Sequence, residues 1–81
     1  MVVRVLSFAR ARELLGSELQ LELPDGASLA DAWEALRARS RELDAIASSV
    51  RLARNGIVSP LLDARLSDGD EISVLPPVGG G

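Results

Sequence analysis

The chain has 81 residues and a hydrophobic content of 47%, which suits one domain with a single modest core and excludes a disordered polymer. It contains no Cys, His or Tyr, so a disulfide framework, a thiolate nucleophile, a zinc–thiolate centre and the commonest general base are excluded, and no metal site is expected. Nine basic against twelve acidic residues, a net charge of −3 and only two aromatic residues, Phe8 and Trp33, argue against nucleic acid, even if Arg37, Arg39, Arg41, Arg51 and Arg54 gather locally.

Residues 2–8 are β-branched or large and apolar apart from Arg4 and Ser7, and read as a central strand. Residues 9–15 form a short helical stretch that Gly16 can close. Residues 18–23 alternate strictly, with Leu19, Leu21 and Leu23 on one face and Glu18, Gln20 and Glu22 on the other: a half-buried strand. Pro24-Asp25-Gly26 makes a turn. Ser28 with Asp31 three residues on opens a helix by a capping box, and Leu29, Ala32, Trp33, Leu36 and Leu43 follow with helical spacing as its core stripe. Asp31 and Glu34 early and Arg37, Arg39 and Arg41 late complement the helix dipole. Beyond Ser40 the pattern loosens. Residues 50–54 and 57–59 flank Asn55-Gly56, a two-residue hairpin signal, and Ser67-Asp68-Gly69-Asp70 is a turn before a last strand at 71–75.

The order strand, strand, helix, strand, strand, strand predicts an α+β fold of the β-grasp, or ubiquitin-like, kind. Its mixed sheet would hold about five strands, with the first and last parallel and one main helix across one face. The domain is expected to occupy residues 1–75. Residues 76–81 form an extended, flexible tail: Pro76 and Pro77 favour an extended path, and Gly79, Gly80 and Gly81 have no Cβ and fit a narrow channel. At about 3.3 Å per residue the tail reaches roughly 20 Å and delivers the α-carboxylate of Gly81. Apolar stretches are far shorter than a membrane span and the start of the chain lacks a signal-peptide pattern, so no membrane association and a cytoplasmic location are expected.

Three segments together resemble one family, the small, sulfur-carrying subunit of molybdopterin synthase in molybdenum-cofactor biosynthesis. Val5-Leu6-Ser7-Phe8-Ala9 with Arg12-Glu13-Leu14-Leu15-Gly16 is similar to its first strand and following turn, and Leu66-Ser67-Asp68-Gly69-Asp70-Glu71-Ile72 to its penultimate turn. Leu75-Pro76-Pro77-Val78-Gly79-Gly80-Gly81 is similar to its terminal signature, the specific element of the three. Ser7 departs from the pattern, standing where many members carry a bulky apolar residue; Gly79 replaces the frequent Thr, Ser or Ala, and residues 42–54 match poorly.

The resemblance implies a protein that is not an enzyme by itself. An activating enzyme would use ATP to adenylate Gly81, and persulfide-derived sulfur would convert it to a thiocarboxylate. The large subunit of a heterotetrameric synthase would supply the catalytic residues and receive Gly79 and Gly80 in its pocket. No cofactor is expected to be bound. The resemblance also implies a partner-docking patch of Phe8, Val58 and Leu75 on the exposed sheet face, continued by Pro76, Pro77 and Val78. The other readings are a ubiquitin-like carrier for thiamine synthesis or tRNA thiolation, a protein modifier, or a non-catalytic β-grasp interaction module with an inert tail.

Overall fold

Alternating side chains in the first two strands set the fold, because they give the sheet one apolar and one polar face. The computed structural model describes residues 1–58 and 61–76. In chain order it contains β1 (Val2–Ser7), α1 (Ala9–Leu15), β2 (Glu18–Glu22), α2 (Leu29–Arg39), a 3-10 turn (Arg41–Ala45), β3 (Arg51–Arg54), β4 (Ile57–Val58) and β5 (Glu71–Leu75). The sheet order is β2-β1-β5-β3-β4. β1 lies parallel to β5 and antiparallel to β2, while β3 runs antiparallel to both β5 and β4. This is the expected β-grasp topology.

One face of the sheet carries Val3 and Val5 of β1, Leu21 of β2, Leu52 of β3 and Ile72 and Val74 of β5; Leu29, Ala32 and Leu36 of α2 pack with them in one core. Burying each fully enclosed Leu, Ile or Val is worth about 1.5–3 kcal/mol before conformational entropy is set against it. The helix begins as its sequence predicts. The Ser28 hydroxyl accepts from Asp31 N at 3.1 Å while the Asp31 carboxylate accepts from Ser28 N at 2.9 Å, which lowers the Asp31 pKa. The free N–H groups of Leu29 and Ala30 donate to Ala64 O at 2.9 Å and Leu62 O at 2.8 Å, so the loop before β5 holds the helix end.

The structure departs from the expected helical stripe at two residues. Leu43 is buried from the 3-10 turn beyond α2, and Trp33 is only half-buried at the margin of the core. The main chain turns at Ser40, so the spacing between Leu36 and Leu43 no longer places both on one helix. At the β3–β4 hairpin Asn55 has φ +50° and Gly56 φ +84°, both left-handed, as a primed two-residue turn requires.

Ser7 stands where many members of the family that the chain resembles carry a bulky apolar residue. Its place in the β1 alternation points it at the core, where it is 2% exposed and its Oγ has no hydrogen-bond partner among the described residues. It therefore has no bearing on the apolar surface beside Phe8. An unpaired buried hydroxyl is destabilising. Ser7→Ala should raise stability by about 1 kcal/mol in urea unfolding, with the fold unchanged.

The densest polar cluster closes the end of the sheet where β5 begins. Asp70 accepts from Arg54 Nε at 3.0 Å, Asn55 Nδ2 at 3.1 Å and Ser67 N at 2.8 Å, and forms an ion pair with Arg54 at 2.9 Å. Asp70 O accepts from Arg4 N at 2.9 Å, Gly69 N donates to Val2 O at 2.8 Å, and Asn55 exchanges bonds with the Glu71 backbone. Burial pushes the Asp70 carboxyl pKa up, but the donors from Ser67, Asn55 and Arg54 outweigh it and hold it below the usual range.

A depressed folded-state pKa gives stability that is present above the unfolded value near 3.9 and is lost as pH falls through the folded value. The stability gap between the parent chain and Asp70→Asn should therefore shrink as pH falls from about 5 toward 2. Near neutrality Asp70→Ala should cost roughly 2–4 kcal/mol, because it leaves the Arg54 charge and the Ser67 and Asn55 donors without their acceptor.

Candidate functional site

The face of the sheet opposite α2 divides into a charged half and an apolar half, and strand register fixes which residues fall in each. On β2, Glu18, Gln20 and Glu22 stand opposite Leu6, Arg4 and Val2 of β1, and Arg4 forms an ion pair with Glu71 of β5. This half is a hydrated polar surface. Further across, Leu6 pairs with Ser73, Ser73 with Ala53, and Ala53 with Val58, so these four form one row over four strands. In the next row Leu75 pairs with Arg51. Phe8 continues β1 in extended conformation, φ −133° and ψ 156°, and donates its N–H to Val74 O at 3.2 Å, which sets it beside Leu75.

The expected trio is therefore brought together on one face. Phe8 is 42% and Val58 48% exposed, and Leu75 is half-buried, so none of the three belongs to the core. Small residues at the centre, Ala53 and Ser73, are buried, which leaves a shallow surface framed by larger apolar side chains. Leu6, Ala53 and Ser73 were missed from the sequence. The signal was available: Leu6 and Ser73 lie two residues before Phe8 and Leu75, and the Asn55-Gly56 turn fixes Val58 opposite Ala53.

Around the β4 edge a second apolar feature faces the helix side. Trp33, Ala47, Val50, Arg51, Leu52, Val58 and Leu62 line an open hollow of about 510 Å³. Ile57, Leu61 and Leu62 are exposed along this edge. Val58 thus borders both surfaces.

Leu75 ends the central strand β5, flanked by β1 on one side and β3 on the other, and Pro76 follows it, exposed. Pro77, Val78, Gly79, Gly80 and Gly81, the remaining expected site residues, lie outside the described residues. Among the described residues no group of His, Cys, Asp or Glu is arranged to hold a metal ion, and no helix is long and apolar enough to cross a membrane. Several charged groups answer to structural partners: Arg37 bonds Glu34 at 2.6 Å and Asp44 at 2.5 Å, and the Arg37 guanidinium is the main cause of a lowered Asp44 pKa. The described surface can dock a partner.

Comparison with known proteins identifies the family. The ThiS family model matches residues 5–81. Over 83 residues, covering all of both chains, the sequence is 37% identical to the molybdopterin synthase sulfur carrier subunit of Chlamydomonas reinhardtii. Among solved structures, the small archaeal modifier protein 1 of Methanosarcina acetivorans superposes with a TM-score of 0.82 at 30% identity, covering 99% of this chain and 96% of that one. A chain in the complex of subunits 1 and 2 of the molybdopterin-converting factor from Helicobacter pylori gives 0.74 at 27% identity, with both chains covered completely. A ubiquitin-like β-grasp domain whose sequence fits the family model almost from end to end, the chain belongs to the ThiS family and is a relative of the small subunits of molybdopterin synthase.

Proposed function

We propose that this protein is the sulfur carrier of a molybdopterin synthase, with the carboxylate of Gly81 as its reactive group. The observation that carries the reading is the sequence Pro76-Pro77-Val78-Gly79-Gly80-Gly81 placed directly after the central strand of a ThiS-family fold. An α-carboxyl has a reference pKa of about 3.3–3.7, so near neutrality it is an anion able to attack phosphorus. As an acyl donor it is inert until its oxygen becomes a leaving group. An activating enzyme therefore adenylates Gly81 with ATP, releasing pyrophosphate; the terminal sulfur of a donor persulfide displaces AMP to form an acyl disulfide, and a second thiol reduces that bond, leaving the thiocarboxylate on Gly81 and a disulfide on the donor side.

Sulfur transfer to the pterin precursor takes place in a larger partner subunit, because this chain has no His, Cys or Tyr for proton transfer. The Helicobacter pylori relative is part of such a two-subunit complex. Gly79 and Gly80 keep the tail narrow enough to thread into the partner, and Phe8, Val58, Leu75, Pro76, Pro77 and Val78 form the docking surface. The similarity to a small archaeal modifier protein supports a second reading, in which the same activated carboxyl is passed to an amine of another protein.

Intact-mass measurement after incubation with activating enzyme, ATP and a sulfur donor should show one oxygen replaced by sulfur. Deleting Gly81 should abolish that change and the restoration of molybdoenzyme activity in a carrier-deficient strain. An unchanged mass, with a competent carrier reacting alongside, overturns the reading. Activity that survives the deletion points to an inert tail.

The docking surface has its own test. Leu75→Asp places a charge where an apolar contact forms, and desolvating it unpaired costs several kcal/mol. Titration of the folded variant should show affinity lowered by at least about tenfold for both the activating enzyme and the large subunit. Normal affinity for either one means that the two partners use separate surfaces.

A further inference from the structure

All nine basic side chains are arginines, and the 81 residues contain no lysine. The distinction matters in a protein whose own terminus becomes an acylating agent. A guanidinium stays protonated and delocalised, so it offers almost no free lone pair. Its pKa lies well above the lysine reference of about 10.4, so its free-base fraction at pH 8 is on the order of a hundredfold below that of a lysine amine. Several arginines are also committed to carboxylates: Arg10 to Glu13 at 2.8 Å and Glu42 at 3.2 Å, Arg37 to Glu34 and Asp44, and Arg54 to Asp70.

The Met1 ammonium is the remaining primary amine. It donates to Leu23 O at 2.8 Å and faces the exposed Asp25 Oδ1 at 3.5 Å. Because β1 runs parallel to β5, with Ser7 opposite Val74, Met1 lies at the end of the sheet away from Leu75 and the tail. Thiol, imidazole and phenol are absent, and the serine hydroxyls have no imidazole base to activate them.

We propose that this chain is a one-way acyl donor, whose own surface offers its activated C-terminus no competent nucleophile, so that the acceptor always comes from another molecule. The proposal rests on the sulfur-carrier reading, in which Gly81 is activated. The side reaction it prevents is a close one. A six-residue tail reaching roughly 20 Å holds its acyl group near its own surface at an effective concentration on the order of millimolar. There an amine would attack the Gly81 carbonyl carbon, forming a C–N bond, breaking the bond to AMP or sulfur, and losing its proton to solvent. The product, a cyclised or dimeric amide, is a dead carrier. If the protein is passed to other proteins as a modifier, the same lack of lysine limits it to single, unextended conjugates.

The test needs no activating enzyme. Gly81 is converted chemically to a small alkyl thioester in the parent chain and in two variants, Arg12→Lys and Arg51→Lys. Arg51 is opposite Leu75 at the base of the tail, and Arg12 is in the helix that follows β1 at the same end of the sheet. At pH 8 the parent should hydrolyse to the free carboxylate. Each lysine variant should accumulate cyclic or dimeric amides, detected by intact mass and peptide mapping, at least about tenfold faster. Amide products in the parent at the variants' rate, including any at the Met1 amine, overturn the proposal. So do lysine variants that form no more amide than the parent. A parallel incubation with ATP and activating enzyme reports separately on whether Gly81 is the natural site of activation.

Discussion

The placement of β5 is the constraint on which the rest of the structure depends, and the Asp70 carboxylate fixes it. β5 is the central strand, joined to β1 on one side and β3 on the other, and the residues after it lead to the tail. Any slip of one residue would exchange Ile72 and Val74 for Ser73 and Leu75 on the core face. Asp70 opposes such a slip because its acceptors match donors from three residues in two segments: Ser67 in the preceding turn, and Arg54 and Asn55 in the hairpin. Its backbone carbonyl adds β1 through Arg4 N. A charged group at the sheet margin is costly to desolvate, and here its hydrogen bonds make register specific in return.

Correct register has a second consequence, because it builds two surfaces at once. The inward residues of β1, β3 and β5 close the core under α2, while the outward ones bring Leu6, Phe8, Leu75, Ala53 and Val58 onto one exposed face. The apolar half of that face lies at the end of the sheet from which the tail leaves. A partner that covers Leu75 is therefore also positioned to receive Pro76 and the residues beyond it.

Much of this was legible in the sequence. The topology came from local signals that agree with one another: strict alternation in residues 18–23, the Ser28/Asp31 capping box, Asn55-Gly56 and the Ser67–Asp70 turn. Phe8, Val58 and Leu75 were legible as a group only through family resemblance, since nothing in their local spacing says that three separate strands meet. Asp70 was read as a turn residue and nothing more, because its role depends on partners 15 and 16 positions away. Trp33 was misplaced for a related reason. Helical phase gives the side of a helix that faces the core but not how far along it the sheet extends, and α2 carries Trp33 to the edge beside β4.

A carrier that is charged by one enzyme and discharged by another has to bind firmly enough to be processed and then leave. A core-like interface would hold it too long, since residence time grows mainly through slower dissociation. The surface of this chain is moderate: a few half-exposed apolar residues around the small Ala53 and Ser73, bordered by charged side chains. Such a patch supplies orientation without the area of an obligate interface. The tail supplies the remainder, and Pro76 and Pro77 reduce the conformational entropy lost when it is inserted. On the proposed reading, affinity is divided between a modest docking face and the terminal residues. If Gly81 carries the sulfur as proposed, departure of that sulfur changes the terminal contact and favours release.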